Sequence, residues 1–111
     1  MKATIWHNPR CGTSRKVLAM LEAAGADLTV VEYLRDPPTP DELKRVLLRA
    51  GIAPREALRC KEPEAAPLDE TTDEEIVEAM MMHPVLIERP IVETERGAVL
   101  ARPAERVREV L

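Results

Sequence analysis

KATIWHNPRCGTSRKVLAMLEAAGADLTVVEY, residues 2–33, changes its pattern twice. Residues 3–6 are a short run that reads as a buried strand, and it ends at the turn His7-Asn8-Pro9-Arg10. From about Cys11 the apolar residues recur at helical spacing. Val17, Leu18, Met20, Leu21 and Ala24 form one stripe, and Gly25 stands where a left-handed C-terminal cap is expected. Residues 28–33 are β-branched and apolar, so a second strand follows. A strand, a helix and a strand within so short a stretch make a crossover in which the two strands run parallel.

Outward from this unit, Thr39-Pro40-Asp41-Glu42 combines a capping box with proline at the first helical position, which predicts a helix to about Ala50, stopped by Gly51. Pro54 opens a short helix through Cys60, and residues 61–70, with two prolines and several charges, read as an exposed loop. Thr72-Asp73-Glu74-Glu75 repeats the capping logic ahead of Ile76, Val77, Ala79 and Met80, in a helix that ends by His83-Pro84. Pro90-Ile91-Val92 and Ala98-Val99-Leu100 flank Glu95-Arg96-Gly97 as an antiparallel hairpin, and residues 103–111 form a last helix. The order βαβ, then helices, then ββα predicts an α/β protein: a thioredoxin-like fold with a mixed sheet and a helical insertion. Residues 1–111 read as one domain, without repeat or linker.

A chain of 111 residues suits one core, burying roughly 65% of its unfolded surface. Sixteen Lys and Arg against twenty Asp and Glu give a net charge of −4, unlike the basic footprint of a nucleic-acid binder. With no Phe, one Trp and one Tyr, platforms for stacking bases are also missing. No apolar run approaches the roughly 18 residues of a membrane span, and a strand-like segment follows Met1 and Lys2 directly, so a cytoplasmic protein is expected. Cys11 and Cys60 are too few for a disulfide framework and share no zinc-ligand spacing, so neither structural bridges nor a metal are expected.

Cys11 stands where a turn becomes a helix. The free amides of Gly12, Thr13 and Ser14 and the positive end of the helix dipole can face its sulfur, with His7, Arg10 and Arg15 nearby. Such a setting favours the thiolate and makes an anion site on the same spot. Two readings stand at this point: a nucleophile with its own oxyanion cradle, or a small apolar residue at a helix start beside an ordinary turn histidine. Ser14 occupies the fourth position of Cys11-Gly12-Thr13-Ser14, where a dithiol motif has its second cysteine. Its hydroxyl can donate a hydrogen bond to the thiolate but forms no disulfide, so a second thiol must come from Cys60 or from a separate molecule.

His7-Asn8-Pro9-Arg10-Cys11-Gly12-Thr13-Ser14-Arg15 resembles the active-site signature of the glutaredoxin-linked arsenate reductases. Tyr33-Leu34, Pro37-Pro38-Thr39, Leu58-Arg59, His83-Pro84, Arg89-Pro90-Ile91-Val92 and Arg102-Pro103 resemble that family in order and spacing across essentially the whole chain. The resemblance implies that Cys11 attacks arsenate, that Arg59, Arg89 and Arg102 bind the oxyanion, and that His7 assists ionisation of Cys11. Guanidinium groups suit the role, since they bind tetrahedral oxyanions through paired donors. The sequence holds twelve arginines, and the resemblance alone selects these three. Thioredoxin-like proteins also place a cis-proline just before the third strand, facing the cysteine. Pro90 stands there, in a place where a trans proline protecting an edge strand is the ordinary alternative.

The implied chemistry needs glutathione as co-substrate and a glutaredoxin as partner, with no bound cofactor. Cys60, directly after Arg59, is no part of it and reads as a bystander thiol. Another class of the same fold, redox-sensing regulators that bind RNA polymerase, usually carries a C-x-x-C pair, which Ser14 denies here. A third reading keeps the pocket and changes the substrate. His83 reads as a helix-end residue, Met80-Met81-Met82 as core packing, and Trp6 as a strand residue over the core.

Overall fold

The computed structural model describes residues 1–59, 61–68 and 71–111. Strand β1 (Lys2–Trp6) sends Ala3 and Ile5 into the core, and helix α1 (Gly12–Ala23) covers them with Val17 and Leu21, one helical turn apart. Gly25, at φ 74°, takes the left-handed conformation that releases the chain, its N–H bonded to the Glu22 carbonyl and that of Ala26 to the Leu21 carbonyl. Strand β2 (Asp27–Val31) then pairs parallel to β1, from Lys2 opposite Asp27 to Trp6 opposite Val31.

Strand β3 (Ile91–Thr94) runs antiparallel to β1, and β4 (Gly97–Leu100) returns beside β3, giving the sheet order β2-β1-β3-β4. A final 3-10 helix, Ala104–Val110, closes against the sheet. These are the thioredoxin-like βαβ and ββα halves in their expected order. Between them lie α2 (Pro40–Ala50), α3 (Asp73–Met82) and the 3-10 helices Pro54–Ala57, Pro63–Leu68 and Pro84–Leu86.

The chain divides into two compact units, Met1–Asp36 with Arg89–Leu111, and Pro37–Glu88. The first buries Ala3, Ile5, Val17, Leu21, Val92, Val99 and Val107 in one aliphatic cluster. In the second, Leu43, Val46 and Leu47 of α2 and Ile76, Val77 and Met80 of α3 are buried. Both helices start as their sequences predict: Thr39 Oγ1 accepts the Glu42 N–H, Pro40 fills the first position, and Thr72 Oγ1 accepts the Glu75 N–H. Among the described residues no helix is long and apolar enough to cross a membrane.

Four readings of the sequence need correction. The expected strand over residues 28–33 lies at Asp27–Val31. It is an edge strand with Thr29 and Val30 exposed, because an apolar run signals pairing but not how many faces are covered. The expected loop over residues 61–70 contains the 3-10 helix Pro63–Leu68, and Ala65 is buried. The helix opened by Pro54 stops at Ala57, since Leu58 bridges to Ile87 in an extended conformation. The last helix begins at Ala104 and is of the 3-10 type. Its buried residues Ala104, Val107 and Val110 recur every three positions, which matches three residues per turn.

Candidate functional site

The loop from His7 to Cys11 is held by its own backbone and short side chains. His7 N–H donates to the Val31 carbonyl at 2.8 Å, closing the last β1–β2 pair, Trp6 opposite Val31. Asn8 folds the turn: Oδ1 accepts the Arg10 N–H at 2.9 Å and its carbonyl accepts the Cys11 N–H at 3.0 Å. An asparagine that bonds the amide two residues on mimics a backbone turn. Cys11 is then the extended N-cap of α1, so the first amides of that helix lie free of intrahelical partners around it.

Ser14 is fully buried, and its Oγ meets His7 Nδ1 at 2.6 Å and accepts the Asn8 N–H at 3.1 Å. The hydroxyl expected to serve the thiolate thus orients His7 and the loop, while the Ser14 backbone amide is the group that bonds to Cys11. Burial lowers the His7 pKa; Glu32 pulls it back up and Arg15 adds to the lowering, with the net result below an ordinary histidine.

Around the sulfur the balance goes the other way. Burial pushes the Cys11 thiol up, but the Ser14 amide, hydrogen bonds from Arg89 and Arg102, and the Arg89 charge outweigh it and leave the thiol below its ordinary value. Arg102 Nη1 lies 3.7 Å from Cys11 Sγ and donates to the Arg89 carbonyl at 3.0 Å, which ties the two arginine-bearing segments together. Arg89 is only 9% exposed, and its Nε and Nη1 are buried with no hydrogen-bond partner among the described residues. Donors are buried unpaired in native proteins only rarely, so these two nitrogens mark a place built to receive acceptors. The Arg89–Pro90 bond is cis, as expected, and so is Arg102–Pro103, which the sequence reading did not foresee.

Of the residues singled out from the sequence, His7, Cys11, Ser14, Arg89 and Arg102 belong to the first unit, and the hydrogen bonds above connect them. Arg59 belongs to the second. There its Nε donates to Glu62 at 3.1 Å and its Nη1 to Glu88 at 3.0 Å, while its backbone N–H bonds to the Leu86 carbonyl. Cys60 lies outside the described residues.

His83 caps α3 in an exposed position. Trp6 is buried at the end of β1, and the methionine run splits, with Met80 buried and Met82 77% exposed. Asn8 and Glu32 were missed as site residues. The first carries a turn signal that could have been read; the second carries none. Among the described residues no three His, Cys, Asp or Glu side chains group as a metal site.

Comparison with known proteins gives consistent matches. The profile of the ArsC family matches residues 6–110. A Rhizobium meliloti (strain 1021) protein named arsenate reductase is 46% identical over 115 residues, covering 100% of this chain and 82% of its own. The protein of that name from Escherichia coli (strain K12) is 44% identical, covering 97% of this chain and 79% of its own. Among solved structures, an arsenate reductase from Vibrio cholerae superposes with a TM-score of 0.93 at 40% identity, over 100% of this chain and 98% of that one. An ArsC family related protein from Bacteroides fragilis, at 24% identity and a TM-score of 0.82, shares the fold.

Proposed function

The chain belongs to the ArsC family, and from that membership and the surroundings of Cys11 we propose that it is an oxidoreductase that reduces arsenate to arsenite. The observation that carries the reading is the pairing of a low-pKa thiol with a buried guanidinium: Cys11 at the start of α1, and Arg89 beside it with two unpaired donors. Nucleophile and oxyanion cradle coincide.

In the proposed reaction an arsenate oxygen docks on the Arg89 donors, with Arg102 and the first amides of α1 sharing its charge. Arg59 is included in the proposed set by its place in the family motif alone. His7 assists the loss of the Cys11 proton. The thiolate attacks arsenic, an S–As bond forms, and an oxygen leaves as water or hydroxide. Glutathione then adds its sulfur to arsenic with loss of a second oxygen. A glutaredoxin thiolate takes that sulfur as a mixed disulfide, and the electron pair of the broken S–As bond reduces As(V) to As(III). Water releases arsenite and returns Cys11. The reading needs no bound cofactor.

Arsenate-dependent NADPH oxidation, coupled through glutathione, a glutaredoxin and glutathione reductase, tests it. Activity is expected in wild type, none in Cys11→Ser, and wild-type activity in Cys60→Ser. Loss in both variants replaces glutathione by an internal thiol relay. No activity in a folded protein with a reactive Cys11 refutes arsenate as substrate.

A further inference from the structure

The parallel register of β1 and β2 ends with Trp6 opposite Val31, and the bond from His7 N–H to the Val31 carbonyl closes that last pair. His7 and Glu32 are the residues that directly follow it on the two chains. Both residues line one pocket of about 230 Å³, whose other charged walls are Arg10 and Arg35.

Ser14 Oγ holds the Nδ1 side of the ring, and Nε2 makes no hydrogen bond among the described residues. The charges around His7 are then Arg10 on its own loop, Arg15 from α1, Glu32 at the end of β2 and Arg35 in the turn beyond it, with Arg89 and Arg102 gathered at Cys11. Glu32 is the one anion in that set. Its contact with Arg35 is a long 3.9 Å, and its side chain is 40% exposed.

From this geometry we propose that Glu32 is a positioning residue for the reaction: its carboxylate is the counter-charge to the imidazolium that forms when His7 takes the Cys11 proton. The proposal rests on the reading of His7 given above. In the step it supports, the S–H bond of Cys11 breaks, an N–H bond forms on the imidazole, and a neutral pair becomes a thiolate and a cation with no change of total charge. A cationic ring must donate from Nδ1, so Ser14 Oγ then accepts from both His7 and Asn8, and its own hydrogen is released from the ring. The half-exposed carboxylate acts through space, so its effect is screened by salt. The electrostatics agree in sign: Glu32 raises the His7 pKa against burial and Arg15.

The test follows the two histidine ring signals by NMR against pH, with His83→Gln assigning them. In Glu32→Gln the His7 midpoint is expected to move to lower pH, with the His83 midpoint unchanged and the His7-dependent limb of the kcat/KM profile moving with it. Glu32→Asp is expected to restore most of the shift, and raising salt to shrink the difference between wild type and Glu32→Gln. Arg35→Gln, which removes the competing cation, is expected not to lower the midpoint. A His7 midpoint unchanged or raised in Glu32→Gln overturns the proposal, and so does an equal fall in Arg35→Gln. The NMR readout needs no turnover, so failure of this proposal and failure of the arsenate assignment are separate results.

Discussion

Replacing Arg89 by methionine should make the protein more stable and inactive. Arg89 is 9% exposed, and its Nε and Nη1 are buried without partners. A buried donor left unsatisfied costs about 1–3 kcal/mol, so two cost ~2–6 kcal/mol, while the bond from Arg89 to Cys11 returns ~1.5–3 kcal/mol as a hydrogen bond to a charged group. Methionine keeps the length and adaptable packing of the side chain without polar hydrogens. The net gain for Arg89→Met is then about 0.5–3 kcal/mol, or ~2–12 °C in Tm for a domain of this size. Thermal unfolding followed by circular dichroism at pH 7 without oxyanion reads this directly. Repeated with arsenate at ~100 times its Kd, the same scan should stabilise wild type by ~2.7 kcal/mol and the variant by far less. Loss of a buried donor that faces transition-state charge should lower kcat by ~100-fold or more. A variant that melts below wild type refutes the claim that the two nitrogens are held unpaired at a cost. One that melts higher yet still reduces arsenate refutes the placement of Arg89 on the substrate.

Alkylation of Cys11 by iodoacetamide should show a rate midpoint below that of an ordinary thiol, and Arg102→Gln should move it up, because Arg102 Nη1 faces the sulfur at 3.7 Å; an unmoved midpoint removes Arg102 from the thiolate's support. His7 has a folded pKa below its unfolded one, so the native state binds fewer protons. Its contribution to stability is therefore complete above the unfolded value near 6.5 and declines as pH falls through and below it. Urea titrations in steps from pH 7.5 down to 5 should show that decline in wild type and a shallower one in His7→Gln. Leu21→Ala, at a fully buried position of the sheet–helix core, should lower unfolding free energy by about 2–5 kcal/mol in urea, with the m-value unchanged.

The halves of the fold were legible because their signals are local. Apolar spacing over one or two turns places α1, and a cap acts within three residues, so Thr39, Thr72 and Gly25 set helix ends without regard to the rest of the chain. The 3-10 form of Ala104–Val110 was also written locally, in a period of three, and was missed by reading every apolar recurrence as α-helical. The edge position of β2 was not legible, because exposure of one face depends on what the remainder of the chain packs against it.

At the site, the sequence by itself determined that a cysteine begins a helix after a tight turn, and hence that a thiolate and an anion are favoured on the same spot; dihedrals and free amides follow from neighbours a few residues away. Tertiary structure brings two of the twelve arginines, Arg89 and Arg102, to the Cys11 sulfur. Arg102 reaches Cys11 across 91 positions, through a sheet order and a chain reversal that no local window contains. It decided the company of His7 as well. Glu32 has no motif of its own, and lines one pocket with His7 only because β1 and β2 pair side by side.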